Sequence, residues 1–339
     1  YMYIENKVLK KYISLWLISM FWIIAVMIIV GGLTRLTDSG LSITQWQLFS
    51  GILPPMNEIQ WNQYFDLYKR IPEYNIQNYS MTLEEFKFIF WWEFIHRLLG
   101  RIIGILFFFP LLYFTFKLSF KNIINLYLIF ILICLQGFIG WYMVSSGLVD
   151  RIDVSHYRLS LHLLLAFIIL SLIFWNYLSL QNIDLSFKKI NKNLPIIFLL
   201  LILIQIIIGA FVSGMDAGKI YNSWPLMGSG FFPDDNSIKN LFKISVFNDP
   251  SLVQFIHRIL AYLILLFYLI ILIKIYKKGL SGLFKAIKVT GFLLVLQIII
   301  GIFTLLFGAQ IIVSSIHQIN SIFLVSSSVY FLYLNNKTS

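Results

Sequence analysis

The sequence predicts an all-α polytopic membrane protein, with eight transmembrane helices arranged as two four-helix bundles related by a pseudo-twofold axis. Three observations carry that prediction. The 339 residues are 59% hydrophobic and only 12% charged, against about 25% charged in a soluble domain, and the mean hydropathy is +0.83. Eight apolar runs reach the length of about 20 residues that a helix needs to cross a bilayer. The tetrapeptide Phe94-Ile95-His96-Arg97 returns as Phe255-Ile256-His257-Arg258, each time opening an apolar run.

The first run, 14–33, follows Lys7, Lys10 and Lys11 and is long enough to span rather than to serve as a cleavable signal. The segment 34–92 is too polar to span and too aromatic for a plain linker, so it predicts an ordered outer cap with short amphipathic helices. Runs at 94–116, 123–146 and 160–179 complete a first half, 1–180. The second half, 181–339, repeats the order: a run at 194–214, a second outer segment at 215–252 that likewise predicts a cap with short amphipathic helices, then runs at 253–274, 287–308 and 311–334. Cys134, the single cysteine, excludes an internal disulfide and reads as a small packing residue in mid-span.

Eight spans place both termini on one side. The termini, the loops on that side and the flanking Lys274 and Lys288 hold 14 Lys/Arg and two acids, Glu5 and Asp184. The positive-inside rule makes that side cytoplasmic, or matrix-facing in an organelle. The net charge of +11 is thus explained by membrane orientation, and nucleic acid is excluded as a partner.

The halves read as copies. An offset of 161 maps Phe94-Ile-His-Arg onto Phe255-Ile-His-Arg, and Leu135-Gln136 with Gly140 onto Leu296-Gln297 with Gly301. An offset of 178 maps Gly31, Asp38, Gly40, Trp46 and Pro55 onto Gly209, Asp216, Gly218, Trp224 and Pro233, and an offset of 155 maps His162 onto His317. Each unit has an even number of spans, so both copies share one orientation, with the axis along the membrane normal.

Four of the five histidines pair by the repeat: His96 with His257, and His162 with His317. All four fall in the first turns of even-numbered spans, at one depth near the outer face. Each bundle then offers two imidazoles from two helices, the arrangement that clamps a planar metal macrocycle on both faces, as in bis-histidine haem ligation. Interhelical hydrogen bonding is the alternative for any single membrane histidine. Zinc or copper would need more ligands than two histidines. His156 has no counterpart and reads as structural. Arg35, Arg97, Arg101, Arg151, Arg158 and Arg258 lie near the same level, where guanidinium groups suit haem propionates or snorkel to headgroups. The halves differ at Glu93, which becomes Gln254. One titratable carboxylate beside one ligand suggests a reactive first half, where it moves a proton during oxidation chemistry, and an electron-transferring second half.

The chain resembles the haem A synthases of aerobic bacteria and mitochondria. The matching residues run from Gly31-Gly32-Leu-Thr34-Arg35-Leu-Thr-Asp-Ser39-Gly40-Leu-Ser-Ile through Glu93-Phe-Ile-His96-Arg97 to Val154-Ser-His-Tyr157-Arg158-Leu-Ser-Leu-His162. In the second half they are Asn222-Ser-Trp224-Pro225-Leu226-Met227, Phe255-Ile-His257-Arg258 and His317-Gln-Ile-Asn320. The resemblance covers nearly the whole chain. It implies oxidation of the C8 methyl of haem O to a formyl group, giving haem A for cytochrome oxidase. It implies a substrate site at Glu93, His96 and His162, and a haem b held through His257 and His317, all four histidines binding iron. Arg35, Arg97, Arg158 and Arg258 are the candidates for propionate contacts. The outer-loop cysteine pair of some members is absent, as in the branch of alphaproteobacteria and mitochondria.

The implied location is a bacterial inner membrane or the mitochondrial inner membrane. The implied partners are the haem O synthase (protohaem farnesyltransferase), the oxidase assembly machinery, a membrane electron donor and the lipid bilayer; assembly as a homo-oligomer is compatible with the sequence. Two other classes use the same histidines. A di-haem cytochrome b passing electrons from quinol would need a quinone pocket and no unique glutamate. A haem transporter or chaperone would bind haem without changing it.

Overall fold

The computed structural model describes residues 4–45, 50–183 and 186–336. Trp46, Asp184 and Lys337, used above in the repeat and the charge balance, lie outside them. The described residues form ten α-helices: α1 (Lys7–Leu36), α2 (Glu58–Tyr68), α3 (Pro72–Ile76), α4 (Leu83–Thr115), α5 (Phe120–Asp150), α6 (His156–Ser179), α7 (Asn193–Gly214), α8 (Pro250–Lys277), α9 (Ser281–Leu306) and α10 (Ile311–Asn336). All but α2 and α3 are long and apolar enough to cross a membrane, which matches the eight expected spans.

The helices overrun the apolar runs wherever a polar cap starts them earlier. The largest overrun is at α4, which begins eleven residues before the apolar run that opens at Phe94. Thr82 and Glu85 form a reciprocal capping box that satisfies two of the free N–H groups of the first turn. Asp249 accepts from the Leu252 N–H at the head of α8, with Pro250 in the first turn, where its missing N–H costs nothing. The early start of α4 corrects the placement of His96. His162, His257 and His317 lie six or seven residues past the start of their helices, but His96 lies thirteen past the start of α4.

Contacts close each half into a ring. α1 touches α4, α4 touches α5, α5 touches α6, and α6 returns to α1; in the second half α7, α8, α9 and α10 follow one another in the same way, and α10 returns to α7. The rings meet through α6 on α7, α6 on α10 and α1 on α10. One apolar core runs through all eight membrane helices, with Leu17, Phe107, Ile129, Phe167, Phe198, Ile271, Leu283 and Phe331 fully buried or nearly so. Lipid tails are as apolar as this core, so close packing and interhelical hydrogen bonds select the arrangement. The α1–α10 seam shows both: Gly32 leaves the space into which the Gln318 amide fits, and Gln318 donates to the Ile28 carbonyl at 2.9 Å. Cys134 is exposed on α5 rather than packed, a correction to its reading as core.

The two outer caps differ. The first holds α2 and α3 over an aromatic cluster of Phe65, Tyr68, Phe86, Phe90 and Phe94. The second, expected to hold amphipathic helices, has only short 3-10 turns and one bridge between Met227 and Gly230. Pro225 and Pro233, Gly228 at φ 81° and Asp216 at φ 51° break any helical run there.

Candidate functional site

Each of the four paired histidines packs against a glycine of the adjacent membrane helix. A Cβ built on Gly31 of α1 would lie 2.9 Å from His96 Cε1 of α4, and one on Gly140 of α5 would lie 3.0 Å from His162 Cε1 of α6. The second half repeats this: Gly209 of α7 faces His257 of α8 at 3.1 Å, and Gly301 of α9 faces His317 of α10 at 2.9 Å. Any larger residue would push the imidazole off its seat. The glycine–histidine pairs obey the same offsets as the sequence repeat.

The rings of His96 and His162 are 6.4 Å apart, centre to centre. An imidazole nitrogen sits about 2 Å from a metal it binds, so two rings on opposite sides of one metal have centres roughly 6 Å apart. Nδ1 of His96, of His162 and of His257 has no hydrogen-bond partner although buried, and an unpartnered buried nitrogen is costly unless a ligand satisfies it. All four residues are half-buried. The donor set thus fits a bis-histidine macrocycle in the first half. His257 and His317 occupy equivalent seats in the second, within electrostatic reach of each other.

Glutamines hold three of these histidines from behind, and sequence reasoning missed that role. Gln136 donates to the His162 carbonyl at 2.9 Å, Gln205 to the His257 carbonyl at 2.9 Å and Gln297 to the His317 carbonyl at 3.0 Å. Asn320 continues the chain by donating to Gln297 Oε1 at 2.6 Å. The spacing Gln-x-x-x-Gly, present at 136–140, 205–209 and 297–301, was the available signal.

Glu93 is 2% exposed and fully engaged. It accepts from the Ser42 hydroxyl and the Ile43 N–H, both at 2.7 Å, and from Arg97 Nε at 3.0 Å and Nη2 at 2.5 Å. Arg97 also donates to the carbonyls of Ile43 and Gln45. In the second half Arg258 donates to the carbonyls of Tyr221 and Ser223, the positions that match Ile43 and Gln45 at the 178 offset. Gln254 donates to the Tyr221 carbonyl at 3.1 Å. Both arginines therefore hold the chain entering the outer cap, an occupation the propionate expectation did not include. They differ in compensation: Arg97 has a carboxylate, whereas Arg258 Nε is buried without a partner.

Arg35 is 11% exposed and pairs with Asp38 at 2.6 Å, and lies 3.7 Å from Asp153 and 3.6 Å from Asp216. It also donates to the Ser213 carbonyl at 2.9 Å. Ser213 and Asp216 are the repeat positions of Arg35 and Asp38 themselves. Arg35 thus ties the two halves together where their copies meet. Burial raises the Asp153 carboxyl above its ordinary range, and Arg35 opposes that rise. Arg158 stacks over the Tyr142 ring at 4.6 Å and bonds Ser146. His156 packs on Phe211, ring centres 5.2 Å apart, and over Gly214, a structural contact between α6 and α7 in line with its expected role.

The first cap buries a second carboxylate. Glu73 is 2% exposed, accepts from Tyr68 Oη at 3.2 Å, and leaves Oε2 without a partner. Burial pushes its carboxyl up to about 8, with Glu93, Asp153 and Asp38 adding to the rise and the Tyr68 hydrogen bond opposing it. A raised carboxyl holds its proton in the folded cap while the unfolded chain has lost it, so cap stability falls as pH climbs from about 4.5 to about 8. The loss is on the order of a few kcal/mol. Hydrogen-exchange protection across 58–78, corrected for the intrinsic rise of amide exchange with pH, should fall over that range in the native protein and stay nearly level in Glu73→Gln. An equal pH slope in both would place the titration elsewhere.

The sequence matches the family model COX15-CtaA, described as cytochrome oxidase assembly protein, over residues 14–329. The chain is 52% identical over 341 residues to a protein of Pelagibacter ubique (strain HTCC1062) named Heme A synthase, covering 99% of this chain and 100% of that one. It is 44% identical to the Heme A synthase of Rickettsia bellii (strain RML369-C), over 95% and 98% of the two chains, and 43% identical to that of Rickettsia felis, over 97% and 99%. A family match over residues 14–329, with a relative 52% identical across nearly the whole of both chains, places this protein in the COX15-CtaA family of cytochrome oxidase assembly proteins.

Proposed function

We propose that the chain is a haem A synthase, an integral membrane oxidoreductase that converts the C8 methyl of haem O to a formyl group. The observation that carries this reading is the pair of two-histidine seats, of which only the first keeps a buried carboxylate. The first half, 1–180, takes haem O as substrate between His96 and His162. The second half, 181–339, holds haem b through His257 and His317, and that group supplies electron transfer when bound. Oxidising a methyl to a formyl removes four electrons and adds one oxygen atom, so protons must leave the site. Glu93 is the one ionisable carboxylate on the ligand-bearing turn, with the Ser42 hydroxyl 2.7 Å away as a proton-bearing neighbour. The halves are related by a pseudo-twofold axis along the membrane normal passing near Arg35. The chain works beside the haem O synthase and the oxidase assembly machinery and draws on a membrane electron donor.

Pigment extracted from the purified protein and weighed by mass spectrometry tests the reading. Haem b together with haem O, haem A or an intermediate oxidation state is expected. Haem b alone would instead favour a di-haem electron carrier or a haem transporter.

The chain sits in a bacterial inner membrane with both ends on the cytoplasmic side, because the loops on that side carry the basic excess. Reporter fusions at positions 120, 186 and 280 should report inside, and fusions near 70 or 235 outside. One reversed pair would overturn the map.

A further inference from the structure

Three of the four histidine seats have a glutamine four residues before the glycine, and the fourth has Met27 before Gly31. Met27 corresponds to Gln205 at the 178 offset. The glutamines donate to the carbonyl of their histidine at 2.9 to 3.0 Å. In the second half they also reach the rings: Gln205 Nε2 is 3.4 Å from His257 Nε2, and Gln297 Nε2 lies 3.2 and 3.3 Å from the two nitrogens of His317. A thioether has no N–H to give. Met27 instead rests its methyl against Gly100, one turn beyond His96, where a Cβ would lie 3.5 Å away. The His96 carbonyl therefore receives no glutamine amide from α1, which holds α4 one turn earlier through the Thr34 hydroxyl on the Trp92 carbonyl at 3.3 Å, whereas the other three histidine carbonyls are each pinned to the facing helix by an amide.

This asymmetry matches the different tasks of the two sites. A resident haem has no reason to leave, but a substrate must enter and a product must go at every turnover. On the reading that the first half takes haem O as substrate, we infer that Met27 makes His96 the releasing ligand. His162, pinned by Gln136, keeps the porphyrin in place, and His96 lets go and rebinds as porphyrin is exchanged. Met27 is thus a positioning residue: it acts only through the turn that carries His96.

Carbon monoxide binding to the reduced, purified protein tests this, because the gas takes an axial position only when a histidine vacates it. In the native chain the rapidly reacting haem should equal the haem O plus haem A found on extraction, and the inert haem should equal the haem b. Met27→Gln should slow the rapid phase about three- to tenfold, the size one interhelical hydrogen bond supports, and should raise the substrate porphyrin that survives purification. Met27→Leu, apolar and without a donor, should leave the rate unchanged. Gln205→Met should make a share of the haem b reactive. Equal rates in the native, Met27→Gln and Gln205→Met proteins would overturn the inference while leaving haem at both sites. Failure of the site reading itself looks different: His162→Ala would then lose none of the bound porphyrin.

Discussion

Purified His257→Ala and His317→Ala proteins are expected to lack tightly held haem b, while each still inserts in the membrane. On the proposed assignment each substitution removes one of two protein ligands, and neither seat offers a substitute: Gly209 and Gly301 face the rings with no side chain of their own. The glutamines behind the rings are amides, poor ligands for iron. Truncation also strands Gln297, whose remaining partners are the residue 317 backbone carbonyl and Asn320. Optical spectra should lose the low-spin signature of bis-imidazole ligation in proportion to haem b, and extraction should recover only first-site pigment. Helix content should persist, because the core of all eight helices lies mostly on other residues. Were both variants to retain a full complement of low-spin haem b, these two histidines would not be its ligands.

The parts of the molecule that were legible in the sequence are those encoded along the chain itself, without knowledge of which helices pair. Eight spans follow from apolar length alone, and the histidine pairs follow from fixed offsets between copies. Gly31, Gly209, Gly140 and Gly301 were visible as matched positions. That each of them seats a histidine required knowing which helices pair. The start of α4 was hidden because Glu84, Glu85 and Lys87 interrupt its apolarity, although Thr82 and Glu85 carried the capping signature. The protein partners of the arginines were hidden for a tertiary reason. Composition places Arg97 and Arg258 at the right level for anionic ligands, but it does not show that Arg97 pairs with Glu93 or that both arginines donate to carbonyls of the folded-back chain, at 43–45 and 221–223. Arg35 reads as one more interfacial cation until the fold sets it against the copy of its own position, Ser213.

Glu93→Gln is expected to reduce haem A formation by about 100- to 10,000-fold, the usual range for a lost general acid or base, with haem O or a partly oxidised porphyrin accumulating. Removing one partner of a buried ion pair usually costs about 3–5 kcal/mol, because the other charge is left uncompensated, and that cost alone could unfold the cap. The second half shows why it should not. There Gln254 stands where Glu93 stands, its amide donates to the Tyr221 carbonyl, and Arg258 sits among backbone carbonyls without a carboxylate. A glutamine at position 93 can turn its amide to the Ile43 carbonyl in the same way, although it gives up the bond from the Ile43 N–H. The variant should thus keep its first cap and both pigments while losing the titratable group. Two measurements separate chemistry from architecture. Hydrogen exchange at 39–45 reports whether the cap still docks, and porphyrin mass reports how far oxidation proceeds. A docked cap with unreacted haem O makes Glu93 part of the proton path. A docked cap with normal haem A output would leave Glu93 as the counterion that fixes Arg97 and nothing more. The reciprocal Gln254→Glu should give Arg258 a partner for its unpaired Nε, yet create no second reactive site, because on the proposed reading His257 and His317 there hold a resident haem.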